Sequence, residues 1–195
     1  MKVLSVSDRI VAELISDDSP VAKGTVDLII GCGDLPPEYL AKLRVMYDVP
    51  LFYVLGNHDI RHEIVPQGCD DITGKIVTRG GCSFIGFSGS RWYNGNQNQY
   101  HEREMKAQIW KLWFGLWRLK RLDAVVTHAP PRHVKDGEDR CHKGFNCYRT
   151  LIEKYNPRFF IHGHIHRFFD KPEDRVTMVA QTQVINTYGH HIFEL

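Results

Sequence analysis

The sequence predicts an α/β fold, and three observations carry that prediction. Short apolar runs rich in Val, Ile and Phe alternate with helical or polar stretches. The runs are apolar almost throughout, as in strands covered on both faces. Five of them end in Asp, Asn or His, at the sheet edge where α/β proteins bind ligands.

In chain order the strand candidates are KVLSVS (2–7), DLIIGC (27–32), PLFYVL (50–55), GKIVT (74–78), CSFIGFS (82–88), DAVVTH (123–128) and RFFIHG (158–163). Helices are expected over Pro36–Met46, where two prolines suit a helix start, and over Glu102–Arg121 and Phe145–Tyr155. The last residues, VINTYGHHIFEL, read as a terminal hairpin around Gly189. Segments 89–105 and 130–144 are polar and too long for simple turns, which marks them as functional loops.

With 195 residues and no repeat or linker, a single domain spanning 1–195 is expected. A net charge of +2 gives no strong global pull toward nucleic acid or membrane. No apolar run reaches the roughly 18 residues a bilayer requires, and an acidic residue at position 8 comes too early for a signal peptide. Five cysteines, an odd number, suit a reducing cytoplasm better than a disulfide framework. CHKGFNC (141–147) could clip a zinc, but it lacks a second cysteine pair.

The strand ends hold the chemistry. They deliver Asp8, Asp34, Asn57 with His58 and Asp59, His128, and finally His164 and His166. Gly33, Gly56 and Gly163 precede these groups and permit tight turns. Neutral imidazole is the commonest metal ligand, and the mixed N/O set favours Mn, Fe, Zn, Ni or Co over Mg or Ca. Two cations about 3.5–4 Å apart can clamp a phosphate and ionise a bridging water for in-line attack.

GCGD (31–34), GNHD (56–59), THAPP (127–131) and GHIH (163–166), in this order, resemble the motifs of the calcineurin-like metallophosphoesterases. The resemblance runs from Asp8 to His166 and into the terminal segment. It implies a four-layer α/β/β/α sandwich with two mixed β-sheets. It also implies a phosphoesterase that hydrolyses a phosphomonoester or phosphodiester through a metal-bridging hydroxide. Two divalent transition metal ions are implied, with manganese the leading choice. By motif, Asp34 would bridge the ions, Asn57, His128 and His164 would complete one site, and Asp8 and His166 would serve the other. His58 would act as the catalytic imidazole, oriented by Asp59. His142, in a His-x-Gly element, would face the site as a phosphate donor or ligand, and Arg9 is a further candidate for the phosphate. His162 has no counterpart role and reads as a packed strand residue.

The first motif departs from the family's Asp-x-His: it reads Asp8-Arg9-Ile10. Water could fill the lost position, His142 or Cys32 could substitute, or only one ion could bind firmly. A degenerate member acting as a protein-binding scaffold is the alternative function, although the retained His58 argues against a dead enzyme. The expected partner is a small phosphorylated substrate, with neither membrane nor nucleic acid; RLKR (118–121) reads as a solvated helix end. On the Glu102–Arg121 helix the apolar arc is wider than a sheet can cover. Trp110, Trp113, Phe114 and Trp117 fall in the surplus. Either the 89–105 loop covers them or they form a dimer or partner surface.

Overall fold

The computed structural model describes residues 1–16, 18–59 and 64–195. Its strands are β1 Lys2–Ser7, β2 Leu28–Cys32, β3 Leu51–Val54, β4 Asp70–Asp71, β5 Ile76–Arg79, β6 Cys82–Phe87 and β7 Ser90–Arg91. There follow β8 Gln99–Tyr100, β9 Ala124–Thr127, β10 Phe159–His162, β11 Val176–Val179, β12 Thr182–Asn186 and β13 Gly189–Glu194. The helices are α1 Pro37–Tyr47, α2 Glu102–Lys111, α3 Trp113–Arg118 and α4 Asn146–Tyr155.

Two large sheets form, in the orders β13-β1-β2-β3-β4 and β11-β12-β10-β9-β6-β5. Both are mixed. In the first, β13 runs antiparallel to β1 while β1, β2 and β3 are parallel. In the second, β6, β9, β10 and β12 are parallel, with β5 and β11 antiparallel at the edges.

Alternation along each strand divides its side chains between two interiors. Val3, Leu28, Ile30 and Phe52 of the first sheet meet Phe84, Val126, Phe159 and Ile161 of the second. The opposite faces pack outward. Leu4, Ile29, Leu51 and Tyr53 bury Leu40 and Leu43 of α1. Ile85, Val125 and Phe160 bury Met105, Leu116, Tyr148 and Leu151 of α2, α3 and α4. The result is the four-layer α/β/β/α arrangement with two mixed sheets.

Two expectations are corrected. The terminal hairpin around Gly189 does not form: β12 pairs with β10 and β11, whereas β13 crosses to the other sheet and pairs with β1 along Lys2↔Glu194 to Ser7↔Gly189. The expected helix over Glu102–Arg121 breaks at Leu112, where ψ is −2°. Beyond the break Gly115 lies so close to β5 that a Cβ there would stand 2.5 Å from Ile76 Cδ1. Among the described residues no helix is long and apolar enough to cross a membrane.

Candidate metal centre

Each motif residue follows the carboxyl end of a strand: Asp8 after β1, Asp34 after β2, Asn57–Asp59 after β3, His128 after β9, and His164 and His166 after β10. Three of them bend the chain into the left-handed region, with φ of 61° at Asp8, 56° at Asp34 and 66° at His164. Such backbone is costly for a residue with a side chain and collects at functional sites. The turns interlock. A side chain at Gly56 would collide with the Asp34 carboxylate, and a Cβ at Gly163 would stand 2.5 Å from Asp8 Oδ2. Glycine is needed at both places for close approach.

His128, fully buried, is the hub. Its Nε2 lies 3.0 Å from Asn57 Oδ1, 3.3 Å from Asp34 Oδ2 and 3.1 Å from His164 Nδ1. Its Nδ1 lies 2.8 Å from the carbonyl of Cys32, which can only accept, so Nδ1 carries a proton. On His164 the proton is placed likewise, with Nε2 donating to the Cys141 carbonyl at 2.9 Å. When both rings are neutral, Asp34 Oδ2, Asn57 Oδ1, His128 Nε2 and His164 Nδ1 therefore turn four lone pairs on one point. Only a cation makes that favourable, and the two nitrogens and two oxygens suit a divalent transition ion. The residues fit a metal.

The electrostatics agree. Burial lowers the pKa of His128, but Asp34 and Asp8 outweigh it and raise it to about 9. Burial opposes ionisation of Asp34, yet His128 and the His58 amide hold its pKa down at about 2. For His164, burial and the neighbouring His128 push it down to about 3, which keeps the ring neutral. The negative carboxylate calls for positive charge at His128, supplied by a proton or by an ion.

Beside this cluster stands a more open group. The Asp8 carboxylate is buried, accepts from the His164 amide at 3.0 and 3.1 Å, and lies 3.3 Å from His166 Nε2. The bond to Asp8 raises the pKa of His166. The His166 ring is half exposed and packs on Tyr188 with centroids 4.9 Å apart. Ile10 faces solvent and offers no donor atom. Arg9 is exposed and lines a cleft with Phe168, Arg175 and Tyr188.

His58 is exposed at the rim, and its amide donates to Asp34 Oδ1 at 2.8 Å. Asp59 Oδ2 accepts from the amides of Asp34 and Gly56 at 2.9 and 2.7 Å. Its bonds thus clasp two loops together, and among the described residues none joins it to the His58 ring that it was expected to orient. His142 stacks obliquely over His164 with centroids 5.1 Å apart and holds Asp139 at 3.0 Å. It stands on the His164 side of the centre, where Cys141, His142 and His164 form a second candidate ligand group.

Cys32 is corrected as a substitute ligand: its side chain is buried between the sheets and directs Sγ toward the Ile161 carbonyl. The zinc clip does not form either, because Cys147 packs in the helical core while Cys141 sits beside His164. His162 is buried, as expected of a packed strand residue. Two residues were missed. Tyr93 accepts from Asn57 Nδ2 at 3.2 Å, turning Asn57 Oδ1 toward His128. Cys141 acts through its main-chain carbonyl, an atom every residue type carries. Only the polar 89–105 and 130–144 loops signalled that such residues would come from there.

The family model for calcineurin-like phosphoesterases matches residues 7–168, and the chain belongs to that family. No curated protein matches the sequence. Among solved structures, the protein TT1561 of Thermus thermophilus is similar with a TM-score of 0.65 at 14% identity, over 96% of this chain and 89% of that one. The calcineurin-like phosphoesterase YfkN from Bacillus subtilis gives a TM-score of 0.51 at 11% identity, over 98% and 83%. At such identities the likeness concerns the fold.

Proposed function

We propose that the chain hydrolyses a phosphomonoester or phosphodiester with two divalent transition metal ions. The observation that carries this reading is the convergence on His128 Nε2 of three further lone-pair donors from three other strand ends, Asp34, Asn57 and His164. Asp34, Asn57, His128 and His164 would hold one ion; Asp8, the shared Asp34 and His166 would hold the other. Manganese is the leading candidate. When bound, the ions supply the Lewis acidity that activates water and draws charge from the phosphate.

The chain's own residues do the rest. The Cys32 and Cys141 carbonyls fix both imidazole tautomers before any ion arrives. Asp59 ties the Asp34 and Asn57 loops together. His58 stands at the rim, free to give a proton to the departing alkoxide. His142 and Arg9 would meet phosphate oxygens. All five cysteines are unpaired, which favours a reducing, cytoplasmic setting.

The test is turnover of an aryl phosphate monoester and of a bis-aryl diester by protein reconstituted with Mn. Metal-dependent release of the phenolate from either supports the reading. Full metal loading with no turnover of either would favour the scaffold.

A further inference from the structure

We propose that the face formed by α2 and α3 docks on an anionic lipid bilayer. Three of the protein's four tryptophans lie within eight residues there, and all are exposed: Trp110 at 69%, Trp113 at 48% and Trp117 at 73%, with Phe114 between them at 51%. The 89–105 loop, one of the two alternatives for covering them, leaves them exposed. Its β7 and β8 pair with each other and Trp92 stacks on His101, which folds the loop against the start of α2. From Met105 to Leu122 the chain carries Lys106, Lys111, Arg118, Lys120 and Arg121 and no acidic residue. Of these only Arg121 has an acidic partner among the described residues, Asp123. The chain-wide charge of +2, which gave no reason to expect a membrane, hides this local excess.

Exposed aromatic rings with exposed Lys and Arg before, among and after them in the chain, Arg118 lying over Phe114, match the layered chemistry of a bilayer surface. Indoles settle at headgroup depth while the cations reach lipid phosphates. A second copy fits less well, because a two-fold contact would press five basic residues against the same five. Single-stranded nucleic acid wants a groove with free ring faces. Here the face is a bent helix pair, and Phe114 and Trp117 stack on each other with centroids 6.1 Å apart.

Position adds an argument. Strands β6 and β9 are parallel, so the chain leaves β6 at the metal edge and must re-enter β9 at the opposite edge. Helices α2 and α3 make that return journey, and the aromatic stretch lies past its start, with Gly115 against Ile76, the partner of mid-strand Ile85. None of Trp110, Trp113, Phe114 and Trp117 belongs to the candidate ligand groups.

The experiment is sedimentation of the full chain with vesicles of phosphatidylglycerol and phosphatidylcholine, against phosphatidylcholine alone, at about 0.15 M salt. Binding at least ~10-fold tighter to the anionic vesicles is expected, with a blue shift of tryptophan emission. Trp110→Ser/Trp113→Ser/Trp117→Ser should remove the binding, and Lys106→Glu/Lys111→Glu/Lys120→Glu should remove the preference for anionic lipid. Circular dichroism and metal content should stay at wild-type levels in both. Should a variant misfold, quenching of the wild-type tryptophans by brominated lipid decides alone. No association of the wild type with anionic vesicles would overturn the proposal. So would unchanged binding by the tryptophan variant, self-association through this face in place of vesicle binding, or preference for a single-stranded RNA oligomer.

Discussion

His164 Nδ1 lies 3.1 Å from His128 Nε2, and on each ring the opposite nitrogen is committed to a backbone carbonyl. Whenever both rings are neutral the facing nitrogens are therefore the acceptors, turned toward one point by atoms that no side-chain substitution removes.

Proton release should accompany metal binding. In the metal-free protein His128 is raised to about 9, so near pH 7 its Nε2 holds a proton that an ion must displace. Being raised above the unfolded value of 6.5, this pKa stabilises the metal-free fold fully below pH 6.5, and the contribution fades as pH rises through 9. Titration calorimetry with Mn in two buffers of different ionisation enthalpy should show about one proton released at pH 7. Affinity should weaken by about tenfold per unit of pH lowered below 9. Binding without proton release would mean that His128 is neutral before the ion arrives.

His58→Ala should lower turnover of an aryl phosphate by ~10²–10⁴-fold while metal content stays near wild type. The substitution spares the amide that donates to Asp34 Oδ1, so the turn survives. Elemental analysis beside the rate measurement separates the two roles. Loss of metal in the variant would make His58 a ligand instead.

His162 should make the fold acid-sensitive. It is fully buried, and burial lowers its pKa to about 4 against 6.5 when unfolded. The unfolded chain thus takes up this proton first. Above pH 6.5 there is no penalty; between 6.5 and 4 the penalty grows, to an order of a few kcal/mol. Urea unfolding at pH 7 and pH 5 should show a smaller loss for His162→Gln than for the wild type. Equal losses would place the acid sensitivity elsewhere.

The strands and motif residues were legible because each is a local property. Two-sided burial writes Val, Ile and Phe into consecutive positions, and metal ligation demands Asp, Asn or His. The terminal hairpin was misread because Gly189, at φ 78°, looks like a turn between two paired strands, whereas it opens β13. Which sheet each strand joins depends on pairing with residues such as Lys2, nearly the whole chain away. The break at Leu112 falls on a residue that is neither Pro nor Gly, so nothing local announced it. Cys141 escaped notice because its carbonyl does the bonding. Asp59 was legible as a site residue, but its bonds to two amides were not.

The two ions should differ in affinity, because Ile10 stands where the family has a ligand. The Asn57 group brings Asp34, Asn57 and His164 around a buried His128, whereas the second proposed site would rest on Asp8, a half-exposed His166 and a shared Asp34. Each missing donor removes binding energy and admits water. Cys32 is turned away between the sheets, and His142 stands on the His164 side, so neither is placed to make up the loss. Under mild chelation the Asp8 ion should leave first, giving a plateau near one ion per chain in a chelator titration followed by metal counting. Ile10→His should shift that first release to higher chelator, provided the turn after Asp8 lets the new ring face its carboxylate. The turn itself is fixed by the Asp8 amide donating to the Gly33 carbonyl at 3.1 Å and the Arg9 amide to the Ser7 carbonyl at 2.6 Å. Both ions leaving together from the wild type, with no gain in Ile10→His, would show that the Asp8 site has a further ligand and that the lost first-motif histidine has been replaced.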